Sequence, residues 1–103
     1  MSIYGKVETA TIASGGTTSG AVVLEQPFEF LNIIIPTIDS GTVSLQVSIN
    51  GSDYYALGNS QTTVSGTGNY ATTFKLGGYS YVKVVTSATQ TASRTFTLRG
   101  YRM

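Results

Sequence analysis

The sequence predicts an all-β fold: a small antiparallel β-sandwich, jelly-roll-like, with about eight strands. Short segments in which apolar and polar residues alternate recur along the chain, and Gly, Pro or Asn residues separate them. No segment has the spacing of apolar residues that is typical of an amphipathic helix. So many antiparallel strands in 103 residues cannot remain one flat sheet, and we expect them to fold as two packed sheets.

The strongest strand signal lies in residues 42–50, at the centre of the chain. Polar and apolar residues alternate there without a break, which predicts a strand with one buried face and one wet face. Asn50 and Gly51 favour a tight turn, so the chain should reverse into a second strand at residues 54–57. The side chains expected to be buried together on this hairpin are Val43, Leu45, Val47 and Ile49. Their expected partners in the core are Phe74, Val82, Val84, Phe96 and Leu98.

The remaining strands are predicted from shorter alternations, at residues 6–13, 19–24, 28–35, 69–76, 79–87 and 93–102. Residues 28–35 are apolar on both faces, which predicts either a central strand covered on both sides or a strand whose outer face meets another subunit. Pro36 is expected to end this strand. Residues 58–68 have no periodicity and are predicted to form a long loop, a natural place for recognition. Residues 88–92 are predicted to form a polar loop.

Composition limits both the architecture and the chemistry. A chain of 103 residues makes one domain, residues 1–103. The absence of cysteine excludes disulfides and a thiol nucleophile, and the absence of histidine removes the commonest general base and nitrogen ligand for metals. The five carboxylates form no evident catalytic pair. We therefore predict that the protein is not an enzyme and has no catalytic residues, no metal site and no cofactor.

One short motif invites a nucleotide-binding interpretation. Residues 66–71 match the G-x-G-x-x-A spacing of a dinucleotide-binding fingerprint. That fingerprint needs a helix after the glycines, because the helix N-terminus provides the phosphate site. A strand is predicted at this point instead, so we interpret the match as a coincidence.

No targeting or membrane segment is evident. The N-terminal residues lack a basic segment followed by an apolar run, so no signal peptide is predicted. The longest apolar stretch, residues 31–35, is far shorter than the roughly 20 residues of a membrane helix. We expect the chain to fold in the compartment where it is made and to have no membrane partner.

Charged residues make up only 11% of the chain, against about 25% in an ordinary soluble domain. Such a surface is a weak solubiliser for a lone monomer, which favours a homo-oligomer. The charges are unevenly placed: residues 1–53 hold five acids and one base, and residues 54–103 hold five bases and no acid, so the halves carry −4 and +5. These charges either pair within the monomer or form a dipolar surface for contacts between subunits.

Tyrosine is the abundant aromatic residue, with seven copies and no tryptophan. Aromatic side chains beside cations stack sugars or single-stranded nucleic acid, although tyrosines in strands also fill sheet faces and protein interfaces. The dispersed basic residues are too few to make nucleic acid the expected partner. The predicted partner-binding residues are Tyr54, Tyr55, Tyr79, Tyr81, Arg94 and Arg99.

Four segments, in order, carry a resemblance to a known family. They are TIASGGTTSGAVVL, FEFLNIIIP, VSLQVSINGSDYYAL and the closing TFTLRGYRM. The third contains a strand and turn of the form S-x-(N/D)-G-x-x-(Y/W/F)-x-x-L, here from Ser48 through Asn50, Gly51 and Tyr54 to Leu57. In this order the segments resemble the small β-sandwich structural proteins of tailed-bacteriophage virions, such as head-decoration or cement proteins.

This resemblance implies a non-enzymatic virion component, made in the host cytoplasm and bound to other virion proteins. The implied partners are the major capsid protein or neighbouring subunits, and many such accessory proteins are trimers. A carbohydrate-binding module or an adhesin tip that uses the surface tyrosines is the alternative. The family pattern supplies no catalytic residues.

Overall fold

The computed structural model describes residues 3–58, 63 and 66–102, and these residues form nine β-strands in two antiparallel sheets. The strands are β1 (Ile3–Tyr4), β2 (Glu8–Ile12), β3 (Val22–Val23), β4 (Phe30–Gly41), β5 (Val43–Ser48), β6 (Tyr55–Ala56), β7 (Gly66–Lys75), β8 (Tyr81–Thr86) and β9 (Arg94–Arg102). Strands β1 and β2 lie one after the other along the same side of β9, so they act as one edge. The sandwich therefore has eight strand positions.

The order of the strands is that of a jelly roll. The front sheet has the order β1/β2, β9, β4, β7, and the back sheet has the order β3, β8, β5, β6. Strand β2 pairs with β9, β3 with β8, β4 with β7 and β5 with β6, as in a long antiparallel ribbon wrapped into two sheets. The predicted fold class, an all-β jelly-roll-like sandwich, is confirmed.

The core lies between the two sheets and is formed by inward-facing apolar side chains of both. Val43, Leu45 and Val47 are buried on β5, as predicted from their alternation. The expected partners of this strand, Phe74, Val82, Val84, Phe96 and Leu98, are buried as well. Two of them are neighbours within the back sheet, whereas the other three face β5 from the front sheet.

The prediction that Ile49 is buried with them is wrong, because 80% of this residue is exposed. Strand β5 ends at Ser48, whose Oγ accepts hydrogen bonds from the backbone N–H groups of Gly51 (2.9 Å) and Asn50 (3.2 Å). The side-chain oxygen of Asn50 in turn accepts from the N–H of Asp53 at 3.0 Å. The turn therefore begins at Ser48 and carries the next side chain out of the pleat.

Strand β4 is central in its sheet, with β9 on one side and β7 on the other. The prediction that Pro36 ends it is wrong, because the strand continues to Gly41. The pairing of β4 with β7 shifts in register between Thr37 and Gly41, and Gly68 opposite this irregularity has a φ of 87°. Pro36 is tolerated because β4 pairs with β9 only as far as Ile34, so no described strand on that side requires an N–H from residue 36.

The predicted loop at residues 58–68 overlaps a strand, because β7 begins at Gly66. Residues 59–62, 64 and 65 lie outside the described part of the chain. The G-x-G-x-x-A match at residues 66–71 lies within β7, so no helix follows its glycines. No helix among the described residues is long and apolar enough to cross a membrane.

Candidate functional site

The outward side of the front sheet, here called the front face, is one of two candidate surfaces. Val7, Ile34 and Tyr4 are exposed on it by 59%, 57% and 56% of their surface. The face contains a shallow depression of about 350 Å³, lined by the side chains of Val7, Asn32, Ile34, Thr73, Thr97 and Arg99. Exposed apolar side chains around a depression are typical of a surface that binds another molecule.

A row of aromatic rings lies at one end of the front face. The ring centroids of Tyr4 and Tyr101 are 5.7 Å apart, and those of Tyr101 and Phe30 are 5.1 Å apart with the rings stacked. The guanidinium group of Arg99 lies 4.8 Å from the centroid of Tyr4, within the range of a cation–π contact. Three strands, β1, β9 and β4, thus place a cation and three rings side by side.

The second candidate surface lies beside the β5–β6 hairpin. Here Tyr55 and Tyr79 line a cleft of about 390 Å³, which we call the tyrosine cleft. Its other lining side chains include Ile49, Leu57 and Asp53. Tyr55 is 70% exposed, whereas Tyr79 is half-buried and packs against the core. The cleft therefore combines accessible aromatic and aliphatic surface with one carboxylate.

The other two predicted tyrosines do not line this cleft. The ammonium group of Lys83 lies 4.4 Å from the ring centroid of Tyr54. The hydroxyl of Tyr54 is buried and has no hydrogen-bond partner among the described residues. The ring of Tyr81 lies against Gly51, where an added Cβ would be 3.1 Å from it.

The two predicted arginines lie apart from the tyrosines and from each other. Arg99 is on the front face, whereas Arg94 forms an ion pair with Asp39, with 2.8 Å between Nη2 and Oδ1. The Arg94 side chain is only 18% exposed and also donates from Nε to the side-chain oxygen of Gln90 at 3.2 Å. This ion pair joins the acidic half of the chain to the basic half. A partner-binding role for Tyr54, Tyr55, Tyr79, Tyr81, Arg94 and Arg99 stays a prediction.

The ion pair also predicts how stability depends on pH. The hydrogen bond from Arg94 and a further one from the backbone N–H of Thr91 lower the pKa of Asp39 below its ordinary value of 3.8. A carboxylate whose pKa is lower in the folded than in the unfolded chain stabilises the fold at pH values above its pKa in the unfolded chain. This stabilisation is lost as the pH falls through the pKa that the group has in the folded chain. We therefore expect Asp39→Asn to lower the melting temperature at about pH 7 but to have little effect at about pH 2.

Thermal denaturation of the wild type and of Asp39→Asn across this pH range tests the expectation. The matched control is Asp53→Asn, because Asp53 is exposed and forms no ion pair with any base among the described residues. An equal loss of melting temperature at both pH values for Asp39→Asn would show that the charge of Asp39 is not what stabilises this end of the sandwich.

The acidic side chains of the described residues do not form a metal site. Within residues 3–58, 63 and 66–102, no three acidic side chains come together in a way that could hold a metal ion. Lys6 lies 3.9 Å from Glu8 and 3.6 Å from Glu25, and all three groups are at the surface. Such exposed pairs contribute little to stability.

Most residues of the front face were not predicted as site residues. Only Arg99 was, although the apolar outer face of residues 28–35 was recognised as a surface that could meet another subunit. Within the part of the chain that the structure describes, no further layer lies over this face, so Ile34 is exposed rather than covered. The aromatic row was missed because its members come from both ends of the chain and from the middle, and only the strand register brings them together.

Comparison with known proteins gives a fold but no family. No protein-family model and no curated protein sequence matches the chain. Among solved structures, the SPBc2 prophage-derived protein YomS is similar, with a TM-score of 0.60, 16% identity, and coverage of 96% of this chain and 95% of that one. Chitosan-binding module 1 of a chitosanase/glucanase from Paenibacillus sp. IK-5 has a TM-score of 0.54 and 13% identity, over 94% of this chain and 92% of the module.

A third similar structure is the C-terminal domain of a chitobiase from Bacteroides fragilis, with a TM-score of 0.52 and 12% identity. It is matched over 62% of its length by 81% of this chain. At these identities the likenesses establish a shared fold. They also establish that a prophage-derived protein of nearly the same extent has this fold.

Proposed function

We propose that the protein is a non-enzymatic structural component of a tailed-phage virion that binds other virion proteins through its front face. The observation that carries this proposal is the open front face itself, with exposed Val7, Ile34 and Tyr4 beside the aromatic row. Aromatic and aliphatic side chains at the centre of a surface, with a few polar groups around them, form the usual core of a protein interface.

Two further facts support the proposal. The likeness to YomS extends over nearly the full length of both chains, so this fold is used by a prophage-derived protein without added domains of comparable size. The low content of charged residues, 11%, also fits a subunit that buries surface in an assembly. The partners that the resemblance implies are the major capsid protein or neighbouring accessory subunits.

Attachment through the front face should depend on apolar contact more than on charge. Arg99 is a cation on this face, and its contact with Tyr4 would orient the partner rather than hold it. We therefore expect attachment to persist at about 1 M salt, where the electrostatic screening length falls to about 3 Å.

The test uses particles of the phage that encodes the chain, produced with the wild-type gene or with one of two variants. We expect the wild-type protein to be present in purified particles and to remain through a salt series. Ile34→Asp should remain folded, because the residue is 57% exposed, but should be lost from the particles. Ile49→Asp, the matched control, introduces the same charge at an exposed isoleucine outside the front face and should be retained.

Two results would contradict this proposal. One is the absence of the wild-type protein from purified particles. The other is its release at a few tenths molar salt together with a loss of attachment in Arg99→Ala, which would mean that charge holds it in place. Loss of Ile49→Asp with retention of Ile34→Asp would instead assign attachment to the tyrosine cleft.

The tyrosine cleft supports a second candidate, a carbohydrate-binding module or adhesin tip. Its exposed Tyr55, the half-buried Tyr79 and the carboxylate of Asp53 provide the aromatic surface and hydrogen-bond acceptor that sugar rings bind. A chitosan-binding module and a chitobiase domain among the similar structures favour this reading. Binding of the purified protein to a glycan array, with Tyr55→Ala as the control that should lose it, would support this function over the first.

A further inference from the structure

Strand β7 is the long open edge of the sandwich. Three of the four sheet edges are short or interrupted, since β3 and β6 have two residues each and the β1/β2 edge is interrupted at residues 5–7. Strand β7 has ten residues, and among the described residues it pairs with β4 on one side and with no strand on the other. An edge strand that is short or interrupted limits unwanted pairing with another chain. Strand β7 is longer than the other edge strands and lacks this limit.

The hydrogen-bond pattern identifies the backbone groups that point outward from β7. Leu76 donates its N–H to the carbonyl of Glu29 at 2.6 Å, so this pair is hydrogen-bonded. Hydrogen-bonded and non-hydrogen-bonded pairs alternate in an antiparallel ladder. The pairs that contain Ala71 and Thr73 are therefore non-hydrogen-bonded, and the N–H and C=O groups of these two residues point away from β4. Both residues are exposed.

Nothing in the sequence of β7 blocks pairing along this edge. The strand contains no proline, and Lys75 is its one charged residue. The left-handed φ angles of Gly68 (87°) and Asn69 (62°) interrupt the strand near its start, so residues 70–75 form its regular part. A regular stretch with a single charge, in which the N–H and C=O groups of Ala71 and Thr73 point outward, is a template for another strand.

We propose that β7 pairs in antiparallel fashion with β7 of a second copy of the chain, with Thr73 opposite Thr73 of the partner subunit on a two-fold axis. Two copies of the same strand can pair in antiparallel fashion about a two-fold axis, so both subunits use the same edge for the contact. This inference goes beyond the proposed function and does not depend on it.

The register follows from the residues on either side of Thr73. An axis through Lys75 would place two lysines directly opposite each other, which is destabilising. An axis through Ala71 would require Asn69, with its φ of 62°, to join the ladder. An axis through Thr73 places Ala71 beside Lys75 of the partner subunit and keeps the two lysines about 13 Å apart, at roughly 3.3 Å per residue. This separation exceeds the screening length of about 8 Å at physiological salt.

Cysteine cross-linking tests this register directly, because the chain has no cysteine of its own. In a hydrogen-bonded antiparallel pair the Cα atoms are about 5.5 Å apart, within the range of a disulfide. We expect Thr73→Cys to form a covalent dimer rapidly under mild oxidation. The matched control, Ala71→Cys, is exposed on the same edge but should not cross-link to itself. A mixture of Ala71→Cys and Lys75→Cys should give the mixed dimer.

A second variant separates pairing from folding. Thr73→Pro removes an N–H that points away from β4 and one exposed side-chain hydrogen bond, from Thr73 Oγ1 to Asn32 Oδ1 (3.0 Å). It should therefore leave the domain folded and shift light scattering from dimer to monomer. A wild-type chain that is monomeric up to hundreds of micromolar, or a closed trimer, would overturn the proposal. Equal cross-linking of Thr73→Cys and Ala71→Cys would overturn it too. These measurements use the purified chain alone, so their outcome does not depend on whether the protein is found in virions.

Discussion

Val47→Asp should unfold the domain, whereas Ile49→Asp in the same hairpin should leave its stability nearly unchanged. Val47 is 3% exposed and lies beside Val82 on β8, in a core whose described side chains are apolar, so none of them could pair with an introduced carboxylate. An unpaired charge at such a position should cost about 4 kcal/mol or more, a large part of the stability of a small domain. Ile49 is 80% exposed, so the same substitution there buries nothing.

Chemical denaturation with circular dichroism checks this prediction, because both variants introduce the same charge two residues apart. A cooperative, wild-type-like unfolding curve for Val47→Asp would contradict the position of β5 in the core. A strong loss of stability in Ile49→Asp would contradict the early end of that strand at Ser48.

Gly68→Ala should destabilise the protein by about 2–4 kcal/mol, while Gly66→Ala in the same strand should have little effect or stabilise slightly. Gly68 has a φ of 87°, and a Cβ at this position would collide with the backbone carbonyl of Pro36. A backbone atom cannot move aside as a flexible side chain can, so the two strands would have to separate locally. At Gly66 an added Cβ meets nothing within 4 Å.

Equilibrium unfolding of the two single variants measures this difference. The pair is informative because both glycines belong to the stretch that matches a nucleotide-binding spacing. Equal effects of the two substitutions would mean that the irregular pairing between β4 and β7 does not require glycine at residue 68. The expected difference assigns this glycine to the packing of two strands rather than to a phosphate site.

The core of the fold could be predicted from the sequence because alternation is a local signal. Val43, Leu45 and Val47 are buried as expected, and so are the apolar residues predicted to face them. The error at Ile49 arose because alternation says nothing about where a strand ends. The hydroxyl of Ser48 ends it by binding the backbone of the turn, and that hydrogen bond is not visible in a pattern of apolar residues.

Gln90 shows a different limit of sequence analysis. It lies in the predicted polar loop at residues 88–92, yet it is fully buried. Its side-chain oxygen accepts from the N–H of Asp39 at 2.9 Å and its side-chain nitrogen donates to the carbonyl of Ala88 at 2.9 Å. Asp39 is 51 residues away from Gln90 in the sequence, so only the folded chain explains why this amide can be buried.

The candidate site was predicted least well, for a related reason. Tyr54, Tyr55, Tyr79 and Tyr81 were selected because they lie close together in the second half of the sequence. The front face instead collects Tyr4, Phe30 and Tyr101 from the two ends and the middle of the chain. Residues that are distant in sequence become neighbours through register, and register depends on the whole set of strand pairs.

The central position of β9 determines when this protein can fold. Residues 94–102 lie between β4 and the β1/β2 edge, and Arg102 pairs with Ile3 near the other end of the chain. While the chain is being synthesised, β4 therefore has no partner on one side, and its apolar residues remain open to other molecules. The front sheet can close only after β9 has been made, in a search for distant partners that typically takes milliseconds to seconds. Folding of this domain is thus expected only after residues 94–102 have been synthesised.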